Sequence, residues 1–178
     1  MTRATLFAVT GVLWLVRSLV SFTDPAFTDP ETAWDWFAVL TFSAALAALA
    51  IALPVFARFV GGRVVFAVAL VPAVGAAIGA LGNLVEDGMQ QAWAGDWLYL
   101  PGVVLVPPGL AAFTVVVFVS QQGAKRTYAA VPALTLIGAL LLERGGGAAV
   151  LIAWLGAAVL AWREDRATEA REPAVVAA

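Results

Sequence analysis

Long apolar runs separated by short polar clusters set the plan of this chain. The runs lie near 4–21, 36–57, 64–85, 97–120, 127–142 and 148–162, and charged or turn residues fill the gaps. At the helical rise per residue, the first four reach roughly 27–36 Å, enough for a hydrocarbon core of about 30 Å. The last two reach only roughly 24 and 22 Å. They gain full length by recruiting Glu143, Arg144 and the Gly145–Gly147 run. We read them as two full spans joined by a tight turn. The competing arrangement is a re-entrant hairpin, whose irregular tip would need protein cover for its backbone. The pattern predicts an all-α integral membrane protein. It is a six-transmembrane-helix bundle in a single domain over 1–162, with a disordered cytoplasmic tail over 163–178.

The polar clusters alternate in charge. Segment 22–35 carries Asp24, Asp29, Glu31 and Asp35, and segment 86–96 carries Glu86, Asp87 and Asp96, with no Lys or Arg in either. The alternate loops hold Arg58 and Arg63, then Lys125 and Arg126; the tail adds Arg163, Arg166 and Arg171, and Arg3 stands at the start. Only Arg144 falls on the acidic side. The positive-inside rule then places the N- and C-termini in the cytoplasm of a cell, the inner or plasma membrane being crossed several times. Trp34, Trp36, Trp93 and Trp97 flank the acidic loops and Trp162 marks the opposite end, as an interfacial aromatic belt requires. Residues 1–21 read as the first span. A cleavable leader is disfavoured by Arg17 inside the apolar run and by Leu19 where a cleavage site wants a small residue.

Composition narrows the chemistry. The 178 residues are 62% hydrophobic and 12% charged, with a net charge of −2. A soluble domain carries about 25% charged residues, so the chain departs in the membrane direction. Nine Arg against one Lys fits a GC-rich bacterial genome. No His and no Cys are present. That removes the imidazole shuttle, the Ser-His-Asp relay, the thiolate nucleophile and Cys/His metal sites. The expected protein is no enzyme and no nucleic-acid binder, and it needs no cofactor or metal.

A small set of polar residues within or beside the spans remains. Arg17 is the one charge well inside a span. It shares a helical face with Thr10, Trp14 and Ser21, which follow i, i+4, i+7, i+11 spacing. Asn83, Glu86 and Asp87 share a face at the end of the third span, above Pro72, Gly75 and Gly79, whose small side chains admit a close helix neighbour. Either Arg17 pairs with Glu86 or Asp87 beside Asn83, on the floor of an outward-open pocket, or Glu86 and Asp87 are solvated loop acids. The fourth span carries Pro107, Pro108 and Gly109, which predict a kink or a break. Residues 35–86 and 96–143 also run in parallel, with Asp35-Trp36 matching Asp96-Trp97 and Val71-Pro72-Ala73 matching Val131-Pro132-Ala133, either as a duplicated hairpin or by chance, since Ala, Val, Leu and Gly fill every span. The loop Thr-Asp-Pro-Ala-Phe-Thr-Asp-Pro over 23–30 reads as a solvated acidic turn.

Two function classes fit. The favoured one binds or passes a small solute or lipid headgroup at the pocket around Arg17, Asn83 and Glu86. It is not proton-coupled, because no Asp or Glu lies near the middle of a span. The alternative is a non-catalytic membrane subunit or regulator that acts through helix–helix packing, with a membrane partner or a second copy of itself.

Overall fold

The computed structural model describes residues 1–23 and 30–169. Asp24 and Asp29 of the acidic loop, and the tail from 170 onward, lie outside the described residues. Regular structure among the described residues is wholly helical. The six α-helices are α1 Arg3–Thr23, α2 Ala33–Val60, α3 Arg63–Glu86, α4 Leu100–Ser120, α5 Ala130–Leu140 and α6 Gly147–Glu169. A π-helical turn, Gly95–Tyr99, leads into α4; a 3-10 segment, Gly123–Ala129, leads into α5; and a short 3-10 turn, Leu142–Arg144, follows it.

Local chemistry explains the boundaries. Thr32 caps α2 by accepting from the Asp35 N–H (3.2 Å), and the Asp35 carboxylate accepts from the Thr32 N–H (2.7 Å). This reciprocal pair satisfies donors that the first helical turn leaves open. Gly61 and Gly62 turn α2 into α3 with φ of 92° and 97°, a region that costs residues with a Cβ. Gly145, at φ 87°, does the same between α5 and α6.

Five helices are long and apolar enough to cross a membrane: α1, α2, α3, the π turn with α4, and α6. The 11 residues of α5 do not suffice by themselves. With the 3-10 segment before it, the rise totals about 30 Å. The exposed surface agrees with a lipid setting. Leu19, Ile51, Val74, Val104, Val115 and Ile152, one or more from most of the helices, all lie exposed. The span residues Thr10, Arg17, Ser18, Ser43, Asn83 and Thr135 are buried instead. A soluble protein does not expose so continuous an apolar face.

The helices form a closed ring in chain order: each packs on the next, and α6 returns to α1. Phe7, Phe56, Phe113 and Trp154, from α1, α2, α4 and α6, interlock with ring centroids 5.4–6.3 Å apart. They plug the ring. The α3–α4 contact is backbone to backbone. A Cβ added at Gly75 would stand 2.8 Å from the Gly102 carbonyl oxygen, and one at Gly109 would stand 2.8 Å from Pro72. The small residues of α3 and α4 thus serve this internal pair.

Charge divides between the two ends. At one end Arg3 pairs with Glu164 (3.8 Å) and with Asp165. Its guanidinium also lies 5.5 Å from the Phe59 ring, and Phe59 meets Tyr128. At the other end lie Glu86, Asp87, Glu143 and Arg144, gathered around one pocket.

Three readings from the sequence meet different outcomes. First, of the kink or break expected in α4, the break is absent: the helix runs through Pro107 and Pro108. Pro108 faces outward and Gly109 seats on Pro72 of α3, so neighbouring packing holds the helix together where its donors are missing. The departure from α-geometry comes earlier, in the π turn. Second, residues 163–169 continue α6 rather than starting a disordered tail. The Arg3 ion pairs hold them, and Arg166 stacks 4.9 Å from the Trp162 ring one turn back. Third, the motifs of the apparent repeat agree only in part: Val71-Pro72-Ala73 and Val131-Pro132-Ala133 both lie inside α-helices, α3 and α5, but the two Asp-Trp pairs sit in different structures. Asp35 caps α2, whereas Asp96 lies in the π turn, and α3 is one helix where its counterpart is split into 3-10 and α segments.

Candidate functional site

The acidic end of the ring opens into a pocket of about 780 Å³. α1 supplies Arg17 and Ser21; α2 supplies Phe42; α3 supplies Asn83 and Glu86, with Asp87 just beyond it. The π turn adds Tyr99, and the end of α5 with its following turn adds residues 139–144. Below it, α1 and α2 are tied by Trp14, whose indole N–H donates to the Ala45 carbonyl (3.1 Å).

Arg17 is the deepest charge, 6% exposed. Its guanidinium lies 5.0 Å from the centroid of the Phe42 ring. A cation over a ring face gains about 0.5–2 kcal/mol. An Arg at the centre of a membrane helix costs about 2.5–3.5 kcal/mol on insertion. The ring therefore offsets part of the burial cost, and the polar pocket lies against the same side chain. Arg17, Glu86, Asp87 and Tyr99 all line this one space.

Asn83 is 3% exposed and joins α3 to α2. Its amide donates to the Val39 carbonyl (3.2 Å) and to the Ser43 hydroxyl (2.9 Å). Asn83 also lines the pocket. Glu86, one of the two acids expected to pair with Arg17, makes no ion pair with it within 4 Å among the described residues. Its carboxylate turns toward the π turn, where a Cβ on Gly95 would stand 2.6 Å from the Glu86 Cδ. The α3 end and the π turn thus form an acidic rim above a buried cation.

Of the residues singled out in the sequence, Arg17, Asn83, Glu86 and Asp87 share the pocket wall. Thr10 and Trp14 do not. Both are buried below it, with the Thr10 hydroxyl donating to the Leu6 carbonyl (2.9 Å) and Trp14 bonded to Ala45. Pro107, Pro108 and Gly109 do not line the pocket; Gly109 seats on Pro72 of α3 and Pro108 faces outward. Sequence reasoning missed Phe42, Tyr99 and the Leu140–Arg144 segment. Phe42 and Tyr99 carry no one-dimensional signal, being two aromatics among many. Arg144 did carry one, as the lone cation on the acidic side.

The fold and this pocket define a polytopic helical membrane protein with a polar chamber at one end of its bundle. The chain matches no protein-family profile, no curated protein and no solved structure.

Proposed function

We propose that this protein binds or passes a small solute or lipid headgroup at the pocket around Arg17, Asn83 and Glu86. The bundle crosses the cell membrane six times with both termini in the cytoplasm, so the pocket opens outward. The observation that carries the reading is a guanidinium 6% exposed on the wall of a pocket of about 780 Å³. Burying a charge is costly, and an ionisable group held at depth beside a polar space is a functional site by default. The six-span reading rests on the 3-10 segment and α5 acting together as one span. The orientation rests on the positive-inside rule.

The site is a binding or passage site rather than a catalytic one. Its side chains are a cation, an amide, a phenol and carboxylates, with no His or Cys in the sequence to activate a nucleophile. Passage is not coupled to protons, since the acids stand at the rim and none lies at mid-depth. The alternative, a subunit acting by helix packing, rests on the scarcity of polar groups and on small residues at helical spacing. Those of α3 and α4 are already used inside the bundle, which favours the pocket reading.

The test is a thermal-shift titration of the full chain in detergent against small anionic and zwitterionic solutes and soluble headgroups. A ligand at a hundred times its Kd stabilises by about 2.7 kcal/mol. The wild type should rise in Tm with at least one of them, and Arg17→Gln should not. No rise with any ligand in the folded wild type would remove the reading.

A further inference from the structure

We infer that the ligand is a phospholipid that enters from the side, out of the bilayer, over a low wall made by the α5–α6 turn. Its headgroup carries an amine as well as the phosphate. This rests on the binding reading above and narrows its ligand class.

The pocket walls differ in height. The Ser18 hydroxyl of α1 donates to the Leu142 carbonyl (2.8 Å). A Cβ on Gly147 would stand 3.0 Å from the Leu15 Cα. The α5–α6 turn therefore meets α1 at Ser18, about 7 Å short of the end of α1 at Thr23. On the opposite side α2 climbs from Phe42, beside Arg17, to Ala33, about 13 Å higher. The ring is therefore notched on the α5–α6 side.

The notch has an apolar lip. Leu140 is 65% exposed and Leu141 42%, and both also line the pocket. Exposed Trp36, about 9 Å above Phe42 on α2, marks the water interface. The lip lies below that level, where a lipid places its glycerol and first methylenes. A water-soluble ligand gains nothing from a side opening at this depth. A phospholipid does, because its chains stay in the bilayer along Leu140 and Leu141 while its headgroup turns inward.

The lining sorts the headgroups. Arg17 at depth offers a charge-assisted contact to phosphate. Glu86, Asp87 and Glu143 outnumber Arg17 and Arg144 around the same space. A simple anion meets repulsion at that rim, whereas an amine-bearing phosphate ester complements both signs.

The experiment compares three probes on the detergent-purified full chain by thermal-shift titration: short-chain phosphatidylethanolamine, short-chain phosphatidylglycerol and glycerophosphoethanolamine. The first should bind at least about tenfold more tightly than its deacylated form, because only it keeps methylenes on the lip. It should also bind more tightly than phosphatidylglycerol. In vesicles, a phosphatidylethanolamine with a photoreactive group on its acyl chain should label Leu140 or Leu141, and Arg17→Gln should lower that labelling about tenfold, as for a lost charge-assisted contact. Equal affinity for the lipid and glycerophosphoethanolamine, or labelling only elsewhere, overturns the side entry and leaves the binding reading intact. Tighter binding of phosphatidylglycerol overturns the amine. No response to any of the three probes overturns the phospholipid, and the small-solute reading then stands or falls on its own titration above.

Discussion

Arg17 and Glu86 lie on one pocket wall without bonding to each other. Arg17 rests against Phe42, while Glu86 turns to the π turn at Gly95. Their substitutions should therefore act independently. In a double-mutant cycle of Arg17→Gln and Glu86→Gln, read as unfolding free energy in detergent, the coupling should stay below about 0.5 kcal/mol. A larger coupling would mean that the two charges meet after all. Asn83 is a different case, because its amide bridges α3 to two groups of α2. Asn83→Leu should destabilise by about 1 kcal/mol, as interhelical hydrogen bonds in membranes do. An unchanged unfolding midpoint would show that the bridge is dispensable.

At the level of elements, the α3–α4 pair is held by the absence of side chains. At Gly75 an added Cβ meets backbone and the Leu105 Cβ at 2.8–2.9 Å, and backbone cannot swing aside as a flexible side chain can. Gly75→Ala should cost about 1–3 kcal/mol by overpacking. Gly156 on α6 is the control, since nothing stands within 4 Å of its Cβ direction. Gly156→Ala should be neutral or stabilise by up to about 1 kcal/mol through helix propensity. Thermal melts of the two variants side by side check both statements. Equal destabilisation would place the close contact elsewhere. The same pairing accounts for α4: with Gly109 seated on Pro72, its two prolines sit in a continuous helix instead of ending it.

For the whole molecule, the orientation proposed from the separation of charge between the two ends can be measured directly. The sequence has no Cys, so each introduced Cys is unique. Met89 stands exposed beyond the acidic end of α3, and Gln122 stands exposed in the basic α4–α5 connection. In intact cells Met89→Cys should react with a membrane-impermeant thiol reagent, and Gln122→Cys should react only after lysis. The reverse pattern would turn the protein over and aim the pocket at the cytoplasm.

The helices, their membrane character and the sorting of charge between loops were legible in the sequence, for a physical reason. Each follows from short-range constraints: apolar runs of about 20 residues match a bilayer, and loop charge is a property of neighbouring residues. Arg17, Asn83 and Glu86 stood out for the same reason, as polar groups where the local setting disfavours them. Helix ends were less legible. The continuation of α6 depends on Arg3, far away in sequence, and the intact α4 depends on Pro72 of its neighbour. Only the tertiary structure decided that α6 closes the ring on α1. It also decided that Phe42 comes under Arg17, that Glu86 turns away from it, and that the α5–α6 turn stops at Ser18. These are contacts between distant segments, set by the fit of surfaces that no one-dimensional pattern records.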